Sequence, residues 1–232
     1  MTAPGEGALI VIDVQNDFCP GGALGVAEGH EVVAAINRIA PAFRVRVLTQ
    51  DWHPRQHSSF ADNHPGAAAF STKEMAYGTQ VLWPAHCVQG TPGAAFHPEL
   101  ETDTADLVLR KGFRTAIDSY SAFFENDRTT PTGLAGYLRD RGVGEIWLAG
   151  LATDFCVAYS ALDAVGQGFA VTVLEDACRP IDLDGSLDWA MGEMRARGVR
   201  FGRAADIAAG RCGSTRRWSR PAWRRAGRGR RR

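Results

Sequence analysis

The chain has 232 residues, 45% of them hydrophobic and 22% charged, which is ordinary globular composition with room for one substantial core and, at this size, one α/β domain. No run is apolar for the roughly 20 residues a membrane helix needs and the N-terminus lacks a basic segment leading an apolar one, so a cytoplasmic protein is expected. The formal charge of zero averages two unlike parts, because residues 211–232 hold ten arginines and no acid while the rest carries 16 basic and 26 acidic side chains.

Ala8 to Val14 is nearly all β-branched or leucine, the mark of a parallel strand covered on both faces, and Asp13 stands at its end. Gln15-Asn16-Asp17-Phe18 and a glycine-rich turn at Pro20 lead to a helix over Glu31 to Ala40, with Val32, Val33, Ile36 and Ile39 at helical spacing and Pro41 as its stop. Val45 to Gln50 is a second strand, again ending in an acid, Asp51. From Trp52 to His97 periodicity gives way to Gly, Pro, His and Ser, and a loop this long in a compact domain is either a missed element or a functional one. Strand character resumes over Asp106 to Arg110 and ends at Lys111-Gly112; a helix follows over Thr132 to Arg141. Glu145 to Ala149 is the fourth strand, Thr153 to Gln167 the helix behind it with Gly168 as breaker, and Ala170 to Leu174 the fifth strand. A helix over Ser186 to Arg197 and a short strand at Val199 to Phe201 close the domain.

Strands alternating with helices predict a Rossmann-like three-layer α/β fold, a mainly parallel sheet flanked by helices. In such sheets ligands bind beyond the carboxyl ends of the strands. Asp13, Asp51, Lys111 and Cys156 each stand at or just past the end of a different strand, so all four are expected to face one crevice.

A cysteine attacks as thiolate, and its proton leaves more readily beside a cation, at a helix N-terminus or next to a base. Lys111 offers the cation, the helix after Thr153 the dipole, and Asp13 an acceptor that later returns the proton to a leaving amine. The backbone N–H groups of Ala152 and Cys156 in the turn Gly150 to Cys156 are candidates for an oxyanion hole. Taken singly, a strand-end Asp is an ordinary turn residue and a buried Cys an ordinary core residue; their convergence suggests acyl transfer from an amide. The five cysteines, odd in number and without a CxxC pair, read as reduced thiols.

Asp51 and His53 point the same way from an extended segment, and His86 can return as a third ligand. Carboxylate and imidazole suit one divalent ion, zinc first, with manganese or iron as alternatives. The loop holds five of the six histidines, so His57 and His64 stay open as further ligands. Phe18, Trp83 and Tyr120 fall in loops above the crevice and are candidates to wall a flat aromatic substrate.

Asp13 in IDVQNDF, Asp51 and His53 in QDWHP, His86 in WPAHCVQGTPGA, Lys111 in RKG, DSYSAFF at 118–124 and Cys156 in GLATDFCV together resemble the bacterial nicotinamidases of the isochorismatase-like hydrolases. The resemblance runs from about Leu9 to Asp206. It implies hydrolysis of nicotinamide to nicotinate and ammonia in NAD salvage, with Cys156 as nucleophile, Asp13 as general base and acid, and Lys111 as third catalytic residue. It further implies a metal on Asp51, His53 and His86 that contacts the pyridine nitrogen, Phe18 and Trp83 around the ring, and a cis peptide before Ala152. An N-carbamoyl or ureido amidase of the same superfamily is the enzymatic alternative.

The expected division is a hydrolase domain over 1–210 and an arginine-rich, disordered tail over 211–232, whose composition cannot bury a core. From another class comes a nucleic-acid-binding protein using that tail, a reading set below a tail without catalytic role. A small-molecule substrate, no membrane partner and a possible homo-oligomer complete the expectations.

Overall fold

The computed structural model describes residues 4–211 of the chain. Its centre is a six-stranded, wholly parallel sheet built from β1 (Ala8–Ile12), β2 (Val45–Asp51), β5 (Leu107–Lys111), β6 (Glu145–Leu151), β7 (Ala170–Arg179) and β8 (Arg200–Gly202), in the order β5-β2-β1-β6-β7-β8. Every residue of β1 and β6 is buried, as expected for strands covered on both faces. One face of the sheet packs on α1 (Val32–Ile39) and α5 (Ala204–Ala208), the other on α2 (Leu134–Asp140), α3 (Ala158–Gly166) and α4 (Ser186–Ala196). The alternation within β1 divides its side chains accordingly, Leu9 and Val11 to the first core and Ala8, Ile10 and Ile12 to the second.

The winding starts at β1, proceeds outward through β2 to β5, and then returns to the other side of β1 with β6. The strand order therefore reverses between β1 and β6, and the crevice at that switch point lies beyond Ile12 and Leu151.

Several boundaries differ from those expected. The 52–97 loop holds a two-stranded hairpin, β3 (Thr72–Met75) and β4 (Gly78–Val81), whose mostly exposed side chains give it no apolar alternation. The first helix ends at Ile39 with Ala40 as its C-cap, one residue short of the expected end and just before Pro41, which sits in the first turn of a 3₁₀ segment, Ala40–Ala42, where its missing N–H costs nothing. β7 continues past Leu174 to Arg179 because a register shift between Leu148 and Gly150 lets it pair again with β6. The helix expected over Thr153 to Gln167 opens with a π-helical turn, Thr153–Val157, before α3. Of the expected tail only Arg211, paired with Asp206, is among the described residues; the disorder expected of the remainder concerns residues 212–232, outside them. Among the described residues no helix is long and apolar enough to cross a membrane.

Candidate active site

The switch point collects side chains from four strands. Asp13 follows β1 with a positive φ of 49° and is fully buried, its N–H donated to Thr49 Oγ1 at 3.1 Å while that hydroxyl donates to Asp13 Oδ1 at 2.6 Å. Where β6 passes β1, Gly150 has φ +122°, and any Cβ there would overlap the backbone of Ile12, so only glycine lets the two strand ends approach. The Leu151–Ala152 peptide that follows is cis, and the π-helical turn then carries Cys156 to the crevice floor.

Lys111 ends the outer strand β5 in register with Asp51 on β2, which turns its ammonium toward the centre. Its Nζ lies 2.8 Å from Asp13 Oδ2, 2.5 Å from Asp51 Oδ1, 2.8 Å from the Ser119 carbonyl and 3.5 Å from Cys156 Sγ. A carboxylate oxygen of Asp13, one of Asp51 and the Cys156 sulfur all lie within 4.8 Å of one another. The four residues expected to share a crevice are thus drawn together around one buried ammonium.

Burial and opposing charge compete at each group. Burial would strip the charge from Lys111, but Asp13 and then Asp51 outweigh it and hold the ammonium firmly protonated. Burial raises Asp13 and Lys111 pulls it back, leaving the carboxyl at about 6. At Asp51 burial also opposes ionisation, yet Lys111, His53 and His86 prevail and the carboxylate stays ionised. Cys156 departs from expectation: burial first, with Asp13 and Asp51 added, raises its thiol well above the usual range despite Lys111. At rest Cys156 is a thiol, because two carboxylates and a dry setting outweigh one ammonium.

Asp51 divides its oxygens. Oδ1 faces Lys111, while Oδ2 lies 3.5 Å from His53 Nε2 and 3.9 Å from His86 Nε2. In each ring Nδ1 lies 2.8 Å from a backbone carbonyl, Gly112 O for His53 and Pro84 O for His86. A carbonyl only accepts, so Nδ1 carries the hydrogen and the neutral ring aims its Nε2 lone pair at the gap beside Asp51. Burial and the neighbouring His53 keep His86 neutral, its pKa lowered to about 4. At His53 burial opposes protonation but Asp51 overcomes it, a local preference for positive charge that a bound cation satisfies. The donor set fits a divalent metal.

His57 and His64 are both engaged in hydrogen bonds, while a nitrogen of His57 also lies within 4.8 Å of ligand atoms of His53 and Asp118, a second buried group that could hold an ion. His57 uses Nδ1 on Ser59 Oγ at 2.7 Å and Nε2 on Ile117 O at 3.2 Å; His64 uses Nε2 on Ser58 O at 2.7 Å and Nδ1 on Lys73 Nζ at 2.8 Å. His57 also backs His53, ring centroids 4.3 Å apart.

Above the cluster is a partly enclosed cavity with a mostly apolar, aromatic lining. Phe18 and Trp83 both line it, as do Ala152 and Cys156. Phe18 lies against His86 with ring centroids 5.3 Å apart, and Trp83 meets Phe155 edge-on at 4.9 Å. Tyr120 completes that side, accepting a hydrogen bond from Trp83 Nε1 at 3.0 Å.

Sequence reasoning assigns no role to Thr49, Asp118 or Phe155. The alternation that puts Thr49 and Asp51 on one face of β2 carries a signal for the first. Asp118 and Phe155 lie within motifs quoted above, but only the folded loops show that both line the cavity.

The isochorismatase domain profile matches residues 7–206. The chain is 54% identical over 193 residues to the nicotinamidase of Acinetobacter baylyi, covering 83% of this chain and 90% of that protein. It is similar to the solved Acinetobacter baumanii nicotinamidase pyrazinamidase with a TM-score of 0.86 and 55% identity, covering 88% of this chain and 99% of that one. The pyrazinamidase of Pyrococcus horikoshii in complex with zinc follows at TM-score 0.68 and 36% identity, covering 85% and 99%. With a profile match across the whole sheet and relatives of this identity along nearly their full length, the chain belongs to the isochorismatase family.

Proposed function

We propose that the chain hydrolyses nicotinamide to nicotinate and ammonia through a thioacyl intermediate on Cys156. The observation that carries the reading is the Lys111 ammonium, within reach of Asp13, Asp51 and Cys156 at the floor of an aromatic cavity. The activity named for the relatives points the same way.

Asp13 accepts the thiol proton as Cys156 Sγ attacks the carboxamide carbon, and the carbonyl electron pair moves to oxygen, held by the N–H groups of Ala152 and Cys156. Asp13 returns the proton to the amide nitrogen, the C–N bond breaks and ammonia leaves a thioester. Water then attacks that carbon while Asp13 takes its proton; the C–S bond breaks, the proton returns to sulfur and nicotinate departs. A pKa near 6 suits both directions, because a base and acid works best close to the operating pH. Lys111 keeps Asp13 from rising further, and Phe18 and Trp83 hold the ring. Asp51, His53 and His86 would hold a divalent ion, zinc first given the zinc complex of the Pyrococcus relative, with manganese or iron as alternatives. When bound, it supplies a Lewis-acidic centre for the pyridine nitrogen.

The test is ammonia release from nicotinamide, with elemental analysis of the same sample. Wild type turns over and contains the metal; Cys156→Ala keeps its circular dichroism and loses at least about 10³-fold in kcat. Retained turnover in that variant removes the thiol mechanism, and faster release from an N-carbamoyl amide than from nicotinamide moves the substrate to the ureido class.

A further inference from the structure

Gln80 is the odd residue of its hairpin. Gly78 and Thr79 beside it on β4 are exposed, yet Gln80 is only 1% exposed. A buried carboxamide is costly unless both ends are paired, and here both are. Its Nε2 shares two hydrogens among Tyr120 Oη at 2.8 Å, Asp118 Oδ2 at 2.9 Å and Val81 O at 2.8 Å. Its Oε1 accepts from Asn126 Nδ2 at 3.1 Å and Tyr77 Oη at 3.2 Å. Asn126 Oδ1 in turn accepts the Tyr120 backbone N–H at 2.9 Å, so Tyr120 is held at both its ring end and its backbone. Tyr120, Trp83 and Asp118 line the ring cavity, whereas Gln80 stands behind them.

We propose that Gln80 is a positioning residue that sets the aromatic wall of the cavity from outside it, an inference that rests on the reading that the cavity takes a pyridine carboxamide. Through the Tyr120 hydroxyl it fixes Trp83 Nε1, and through Asp118 it fixes the start of the loop whose Ser119 carbonyl holds Lys111. A wall ordered before the ring arrives spares the ordering cost at binding. Loss of that order weakens ground state and transition state alike, which raises KM and leaves kcat nearly unchanged.

Gln80→Met keeps length and volume but removes one hydrogen-bond donor from Tyr120 Oη and one from Asp118 Oδ2. The KM for nicotinamide and the calorimetric Kd for nicotinate are expected to rise about tenfold, the effect of one well-made hydrogen bond, with kcat within about threefold. Thr79→Ala removes the hydroxyl contact to Glu74 on the same hairpin and is expected to leave KM unchanged. A Gln80→Met protein that melts lower yet keeps its KM and Kd makes Gln80 merely structural and overturns the proposal, as does a fall in kcat alone. Should that variant not fold, Tyr120→Phe removes the hydroxyl Gln80 holds and must raise KM and Kd similarly; unchanged values overturn the proposal. Wild type that binds nicotinate without releasing ammonia from nicotinamide fails the functional reading, while the Kd comparison still decides the role of Gln80. Wild type that binds no nicotinate overturns both.

Discussion

One lysine sets the charge of the cluster. With Asp13 and Asp51 ionised and Lys111 protonated, the buried group carries one net negative charge, and passing the Cys156 proton to Asp13 leaves that total unchanged. Activating a thiol by separating charge in a dry pocket would be expensive; moving a proton between neighbours is not. The proton acceptor must be empty to work. Burial raises Asp13 to about 6, so below that pH it is increasingly protonated and above it ionised. The kcat/KM for nicotinamide is therefore expected to fall by about tenfold per pH unit below about 6, while Asp13→Asn is inactive throughout. A flat rate down to pH 4.5, with folding intact, would remove Asp13 as the base. Sequence spacing reveals Lys111 and the helix beside the Cys156 thiol, but neither the depth of its burial nor the second carboxylate.

At the level of elements, the site depends on strand ends that close with glycine. Gly112, directly after β5, has φ +65°, and a Cβ there would overlap the His53 ring whose Nδ1 bonds to the Gly112 carbonyl. Gly112→Ala is expected to cost about 1–3 kcal/mol of stability and to weaken metal binding about 10- to 100-fold, read by thermal melting and by metal titration. Wild-type metal affinity in that variant would show that His53 does not need its carbonyl. How much of this is legible in sequence follows from what each element answers to. β1 and β6 announce themselves because burial on both faces demands near-continuous apolar runs, β2 does so through Val45, Val47 and Leu48, and their ends locate Asp13, Cys156 and Asp51. The β3–β4 hairpin is silent because its fixed point is Gln80, a polar residue held by long-range partners. The π-helical turn at Thr153–Val157 is likewise invisible, since its residues would suit an α-helix equally well.

For the whole molecule, the profile match ends at residue 206 and the described fold at 211. We propose that the domain comprises residues 1–210 and that the arginine-rich remainder takes no part in the reaction. A chain ending at residue 210 is expected to keep kcat, KM and melting temperature; a loss of turnover with the fold intact would give the tail a catalytic role. The doubly wound order of the sheet has one further consequence. Asp13 comes from the first strand and Cys156 from beyond the fourth strand of the sheet, with Asp51 and Lys111 supplied by the two strands between them in sequence. Each of these contacts spans a long sequence separation and exists only once the crossovers have brought distant segments together. Until β6 docks beside β1, the chain holds only an ordinary thiol with no proton acceptor beside it, so a nascent or partly unfolded chain offers no half-formed hydrolase. Chemistry at the switch point is thereby made conditional on assembly of the sheet itself.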